Sequence, residues 1–267
     1  MKEGSGKLAL ITGASAGIGK ALAEIHASNG GHLILVARRL QKLQQLKADL
    51  EMKNQVKVHC IECDLSDKEA PEKIFKEVND KGLVVDYLIN NAGFSKQGYF
   101  DEIEWKITED MINVDVQATV KLCHLFLPLM KKRGQGRILN VASSAAFAPG
   151  GPLQTMYYAS KAFIVSFSQG IAGELEGTDI TVTALCPGAT RTEFEQVSGL
   201  DKTDLFSLEK VYSAEQVASD GYQAMLGGDL VKLTALTRAN KFVLKNMNLF
   251  PAKRILHQIK IRQELSK

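Results

Sequence analysis

Tyr157 and Lys161 stand four residues apart in YYASKAFIVSFSQGIAGEL, a run of good helix formers, so both side chains project from one face of a helix. That sets an ammonium beside a phenol. A phenol near its usual pKa of about 10 is a poor proton donor to a carbonyl at neutral pH, and a positive charge held close by lowers the value toward the working range. The pair reads as an acid for a reducible substrate. Tyr158, three residues before Lys161, is a second candidate for the acid, and the four-residue spacing favours Tyr157.

Two such residues meet by chance in many helices, so the sequence upstream has to decide. Thr12 to Gly19, TGASAGIG, follow the strand-like LALI and open a helix that carries Ile18, Leu22 and Ile25. Gly13 permits a tight turn, Gly17 lets a pyrophosphate approach the backbone, and Gly19 lets the helix pack on the strand. The helix N-terminus supplies N–H donors for an anion. In this strand, loop and helix context the segment points to a dinucleotide, although its G-x-x-x-G-x-G spacing differs from the commoner G-x-G-x-x-G.

The elements that position these residues alternate along the chain. LALIT, HLILVA, VKVHCIE, VDYLIN, GRILNVA and ITVTALC are candidate strands, with a seventh expected at Val231 to Thr234. Amphipathic segments near 18 to 29, 39 to 54, 67 to 80, 104 to 133 and 155 to 177 lie between them. Near-continuous apolar strands separated by helices predict an α/β fold, a doubly wound parallel sheet covered on both faces. No linker rich in Pro, Gly or Ser divides the first 225 residues, so one domain is expected over 1 to 226, with 227 to 267 as a helical C-terminal extension.

Composition narrows the function classes. With 267 residues, 45% of them hydrophobic and 24% charged, the chain is ordinary globular protein. A net charge of +3 is too small to argue for a nucleic-acid partner, so none is expected. It conceals an uneven distribution: from Gly227 to Lys267 nine Lys and Arg face two acidic residues, an excess of +7 that leaves the remainder near −4. Within this basic tail Ile255, Leu256 and Ile259 recur at helical spacing. A helix docking on the body or on another subunit is the preferred reading, over peripheral contact with an anionic membrane surface. The apolar stretch of MKEGSGKLALITGAS is too short for a signal peptide or a spanning helix, so a soluble cytoplasmic protein is expected. Cys60, Cys63, Cys123 and Cys186 suit a reduced compartment. Cys60 and Cys63 form C-x-x-C without a second Cys or His pair at zinc spacing, so no metal site is expected.

TGASAGIG, NNAG at Asn90 to Gly93 and YYASK at 157 to 161 come in the order and spacing that resemble the short-chain dehydrogenase/reductase family, over roughly residues 7 to 226. NVASSAAF, YYASKAF and PGATRTEF are most similar to its DltE-type branch. The resemblance implies a Rossmann fold, a homodimer or homotetramer, and hydride transfer between a nicotinamide cofactor and a small-molecule carbonyl or alcohol.

The choice of cofactor can be read from HLILVARR, which places Ala37, Arg38 and Arg39 where the adenosine ribose should lie. An acidic residue there would bind the ribose 2′-hydroxyl and repel a 2′-phosphate. Ala37 can do neither and Arg38 can offer a guanidinium, so NADP(H) is favoured over NAD(H), while Arg39 can equally be a solvated residue opening the next helix. By resemblance, Arg38 and Ser15 hold that phosphate, Asp64 and Leu65 flank the adenine, and Asn91, Ala92 and Gly93 form a cofactor-side turn. Gly13, Gly17, Ile18 and Gly19 cradle the pyrophosphate, and Pro187, Gly188, Thr190 and Thr192 serve the nicotinamide carboxamide and pyrophosphate.

For the chemistry, Tyr157 is the expected acid and Lys161 its pKa depressor, which by resemblance also holds the nicotinamide ribose. Ser143 ends the strand GRILNVAS, so its hydroxyl emerges at the carboxyl edge of the sheet to bond the substrate oxygen. Ser144 rivals it: the family's usual spacing back from the tyrosine lands there, whereas the strand alignment selects Ser143. Asn113 in MINVDVQATV matches the family's helix asparagine, implied to hold a water that relays protons to the lysine. A substrate lid is expected over about 193 to 212, lined by Val197, Leu200, Leu205 and Phe206, with Phe94, Phe147 and Met156 also bordering the pocket.

Overall fold

The structure, a computed structural model, describes residues 4–199 and 211–264. The six apolar runs form β1 (Leu8–Thr12), β2 (His32–Ala37), β3 (Val58–Glu62), β4 (Tyr87–Asn90), β5 (Gln135–Val141) and β6 (Asp179–Pro187). Two short strands, β7 (Thr190–Arg191) and β8 (Tyr212–Ser213), pair with each other, and β9 (Val231–Thr234) completes the main sheet. Its seven parallel strands run in the order β3-β2-β1-β4-β5-β6-β9. The expected seventh strand is thus present, and the sheet takes in residues beyond the boundary expected at 226.

Side chains one residue apart on a strand point to opposite faces, and here both faces are covered. Ala9, Ile11, Leu33 and Leu35 pack beneath α1 (Gly17–Ser28), α2 (Leu40–Asn54) and α8 (Ala214–Gly227). Their neighbours Leu10, Ile34 and Val36 pack beneath α3 (Ala70–Asp80) and α5 (Thr119–Arg133). On that second face lies α6 (Thr155–Glu174), the helix with Tyr157 and Lys161, whose Ile164 and Val165 meet Ala184 and Cys186 of β6. The core is alternating strand residues, each Leu, Ile or Val worth about 1.5–3 kcal/mol when fully buried.

Buried polar side chains fix α6 to the sheet. Asn90 Nδ2 donates to Asn140 Oδ1 at 2.9 Å, Asn140 Nδ2 to Ser168 Oγ at 2.9 Å, and the Ser168 hydroxyl to the Ile164 carbonyl at 2.7 Å. A register slip of α6 would strand the Asn140 amide N–H without its Ser168 partner.

The long helix expected over 104 to 133 is interrupted. α4 (Trp105–Ile112) passes into a π-helical turn at Asn113–Ala118 before α5 resumes. Such turns loosen the i to i−4 ladder and concentrate at functional sites. After β6 come α7 (Phe194–Ser198) and α8, whose N-terminus Ser213 caps by accepting the Gln216 N–H at 3.2 Å. The chain then forms α9 (Arg238–Lys245), a 3-10 turn at Met247–Leu249 and α10 (Ala252–Gln263).

Candidate active site

Strand order reverses between β1 and β4, and the crevice at the carboxyl ends of the strands there is where a doubly wound sheet binds its ligand. A cavity of about 690 Å³ opens at this edge. Residues from TGASAGIG, NNAG, YYASK and PGATRT, four motifs far apart in sequence, all line it.

Thr12, the last residue of β1, ties the first two motifs together. Its Oγ1 accepts the N–H groups of Asn91 at 2.9 Å and Ala92 at 3.0 Å, and Asn91 Nδ2 donates back to the Thr12 carbonyl at 2.9 Å. Gly13 and Gly17 adopt φ of +64° and +53°, which favours glycine. A Cβ on Gly13 would fall 2.8 Å from Asn91 Nδ2, and one on Gly17 would fall 3.0 Å from Thr192 Cγ2. The helix that follows, α1, has Ala16 at its N-cap and so no side-chain cap, which leaves its first N–H groups for an anion. This bare, tightly turned cradle fits a dinucleotide pyrophosphate.

Gly13, Ser15, Gly17, Ile18, Arg38, Asp64, Leu65 and the turn Asn91 to Gly93 all line the cavity, as do Pro187, Gly188, Thr190 and Thr192. Gly19 does not. A Cβ there would sit 2.5 Å from the Gly13 carbonyl oxygen, so Gly19 serves the packing of loop on helix and has no place on the cavity wall. At the adenosine end, Ser15 Oγ accepts from Arg39, with Nε at 3.2 Å and Nη2 at 2.9 Å, and takes no bond from Arg38. Glu193 holds Arg39 at 2.7 Å and Lys42 at 2.8 Å, and these cations keep its carboxyl below the usual range. Arg38 is mostly exposed, with Asp64 3.8 Å from its Nη1.

At the other end Ser143, Tyr157 and Lys161 converge. Ser143, two residues past the end of β5, caps a 3-10 turn at Ser144–Phe147, its Oγ accepting the Ala145 N–H at 3.1 Å and hydrogen-bonded to the Tyr157 hydroxyl. Ser144 also lines the cavity, but the bond to Tyr157 belongs to Ser143. Lys161 Nζ lies 5.6 Å from the Tyr157 ring centre and donates to the Val141 carbonyl at 3.4 Å.

The expected lowering of the Tyr157 pKa by Lys161 is not found. Burial pushes the phenol well above its ordinary range, and the opposing pull comes from the Ser143 hydrogen bond, while Asp115, Tyr158 and Cys186 push it further up. Burial is the main reason, and the buried Asp115 adds to it, its Oδ2 also lying 3.8 Å from Lys161 Nζ. Asp115 also accepts the Phe94 N–H at 3.0 Å and the Ser160 hydroxyl at 3.2 Å. Burial raises its own pKa, against the pull of Lys161 and these two donors. Gly93 makes room for the pair, since a Cβ there would lie 2.9 Å from both Asp115 Oδ1 and Lys161 Nζ.

Asn113 is brought near this cluster without facing the cavity. Its side chain is buried and Nδ2 donates to the Ser66 carbonyl at 3.1 Å, a partner that a buried amide requires. Asp115 was absent from the sequence reading. A carboxylate inside the apolar run MINVDVQATV was the available signal, because a charge on a covered helix face must be paired.

Phe94 and Phe194 border the cavity, and the Phe194 ring lies 5.4 Å from that of Tyr157. Phe147 packs instead with the core around Ile164, and Met156 is not part of the wall. Of the expected lid, 200 to 210, with Leu200, Leu205 and Phe206, lie outside the described residues, as does the side chain of Val197. The tail supplies a wall instead: Ile259, Arg262 and Gln263 of α10 line the cavity, and Gln263 Nε2 donates to Tyr158 Oη at 3.0 Å. Gln97 donates its amide N–H to the Gln263 carbonyl, so α10 docks on the body as the preferred reading had it. Cys63 lines the cavity and Cys60 lies in β3. Burial pushes both thiols up, Cys63 to about 11, which disfavours the thiolate that redox or metal chemistry needs.

The sequence profile of the short chain dehydrogenases matches residues 7–203. A short chain dehydrogenase of Pseudocercospora fijiensis is 37% identical over 194 residues, a match covering 70% of this chain and 61% of that protein. The very-long-chain 3-oxoacyl-CoA reductase-B of Danio rerio is 32% identical over 251 residues, covering 90% and 79% of the two chains. Among solved structures, a short-chain dehydrogenase from Sphingobium yanoikuyae in complex with NADPH superposes with a TM-score of 0.81 at 30% identity, over 98% of each chain.

Proposed function

The chain belongs to the short chain dehydrogenase family and is an oxidoreductase, and on that premise we propose that it interconverts an apolar ketone and its secondary alcohol with NADP(H). The observation that carries this reading is the convergence of Ser143, Tyr157 and Lys161 at one end of a cavity whose other end is the glycine cradle and Arg38. When bound, the nicotinamide supplies or takes up the hydride. Arg38 would hold the 2′-phosphate, Gly13 to Ile18 the pyrophosphate, and Lys161 the ribose.

The substrate oxygen accepts hydrogen bonds from the Ser143 and Tyr157 hydroxyls, and Tyr157 delivers its proton as negative charge grows on that oxygen. A phenol raised by burial keeps its proton through neutral pH, which suits the reducing direction. Lys161, held by Asp115 and the Val141 carbonyl, faces the same oxygen region and refills the proton; Asn113 would hold the water of that relay. Phe94, Phe194, Leu244, Met247 and Ile259 form an apolar wall for the substrate body. Supported by NVASSAAF, YYASKAF and PGATRTEF, the reading extends to a DltE-like member, cytoplasmic and homo-oligomeric.

A panel of 3-oxoacyl thioesters, steroid ketones and simple aryl ketones, followed by NADPH consumption with the purified protein, tests this. Turnover of at least one class, with NADH a poorer donor, is expected. No turnover across the panel contradicts it.

A further inference from the structure

We propose that the segment from Arg238 to Arg254 docks on an anionic lipid bilayer surface and lays the mouth of the cavity against it. Phe242, Val243, Leu249 and Phe250 are 70%, 42%, 75% and 52% exposed, four large apolar side chains within nine residues. Isolated exposed apolar residues are ordinary, but a cluster of them marks an interaction surface. The backbone here is tightly wound. Asn246 N–H bonds the Phe242 carbonyl at 3.2 Å, Leu249 N–H the Asn246 carbonyl at 3.0 Å, and Phe250 N–H the Met247 carbonyl at 3.1 Å, so the four residues are carried on one short helix and the turn that follows it.

Charge identifies the occupant. Arg238, Lys253 and Arg254 flank the apolar residues and are exposed, and from 230 to 263 the chain carries basic residues and no Asp or Glu. Aromatic and aliphatic groups interleaved with cations, on a short helix followed by a turn, suit a surface that is apolar within and anionic at its headgroups. Among the described residues no helix is long and apolar enough to cross a membrane, so the contact lies on the surface. α10 begins with two of these cations and docks on the protein body at its far end, through Gln263, while Phe242, Leu249 and Phe250 remain exposed.

The position has a functional consequence. Asn240, Val243, Leu244 and Met247, from the same α9 and turn, line the cavity. Docking would place the apolar wall of the cavity beside the acyl region of the bilayer, where an apolar carbonyl is concentrated. The inference concerns surface contact and stands whether or not the proposed chemistry holds.

The test is cosedimentation of the full-length protein with vesicles of phosphatidylcholine alone or with about a quarter phosphatidylserine. Binding to the anionic vesicles, weakened by high salt, is expected. Replacing Arg238, Lys253 and Arg254 together by Gln should weaken it roughly 100-fold, at about 1 kcal/mol for each cation. Replacing Phe242, Leu249 and Phe250 together by Ser should abolish it with circular dichroism unchanged. The Gln variant alters exposed charges alone and keeps the test open if the Ser variant fails to fold. No binding to anionic vesicles, or binding that neither variant lowers, overturns the proposal. A dimer that the Ser variant dissociates, with vesicles left unbound by the parent protein, assigns the patch to a second copy of the chain and also overturns it.

Discussion

The molecule buries titratable groups at both edges of its sheet, and the two clusters behave differently. At the amino edge His26 of α1 accepts the Tyr222 hydroxyl at Nδ1 (2.8 Å) and donates from Nε2 to the Lys7 carbonyl (3.1 Å), with the Tyr87 ring 5.4 Å away. Burial lowers His26 to about 4, so it stays neutral, closed on its own partners. At the carboxyl edge Asp115, Lys161 and Ser143 are buried and Tyr157 is half-buried, yet three of the four also line a cavity. Burial alone therefore does not mark chemistry. A buried polar group whose remaining bonding capacity faces an open space does.

Four substitutions can break or sharpen this contrast. Tyr157→Phe should lower turnover by roughly 10²–10⁴-fold, the range for a lost general acid, with NADPH binding and unfolding midpoint retained. Activity near that of the parent would remove Tyr157 as the acid.

Asp115→Asn should act on both stability and rate, because it leaves the Lys161 charge buried without its partner. A loss of about 3–5 kcal/mol in denaturant unfolding is expected. The pH profile of alcohol oxidation should move to lower pH, since Asp115 pushes the Tyr157 pKa up. An unchanged profile would confine Asp115 to a structural role.

His26→Ala should cost about 3 kcal/mol of stability while the folded enzyme turns over normally. The parent protein carries a related signature. The His26 pKa is depressed in the fold, so its contribution is present above about pH 6.5 and lost as pH falls through about 4, some 3 kcal/mol in all. Unfolding titrations at these two pH values, parent against variant, check it; an equal acid sensitivity in both would refute the assignment.

The smallest effect belongs to Arg38→Ala. It should raise the KM for NADPH roughly 10- to 100-fold and leave that for NADH nearly unchanged, the range of one charge-assisted bond. If Arg39→Ala gives the larger rise instead, the pairing of Arg39 with Ser15 is the one that reads the phosphate.

Much of this was legible in the sequence where local rules act. Strands β1 to β6 follow apolar runs, Gly13 and Gly17 occupy positive φ, and the spacing of Tyr157 and Lys161 does place both on the cavity side of α6. Long-range contacts were not legible. Nothing local says that Glu193 will reach Arg39 across 154 positions, or that Gln263 will meet Tyr158 across 105. The sign of the Tyr157 shift was misjudged for the same reason, because it depends on burial and on Asp115, whose partner Lys161 lies 46 positions further along the chain. The π-helical turn at Asn113–Ala118 likewise leaves no mark in an amphipathic pattern read at the α-helical period.

The central claim is that the carboxyl-edge cavity performs a reduction and does more than hold a dinucleotide. A single-turnover measurement addresses it most directly: the purified protein is loaded with stoichiometric NADPH and mixed with each ketone of the panel, with fluorescence of the bound nicotinamide followed in time. The account predicts oxidation of the bound NADPH by at least one ketone, and none in Tyr157→Phe loaded to the same extent. NADPH held tightly and left reduced by every ketone would contradict it and leave a binding module in place of a reductase.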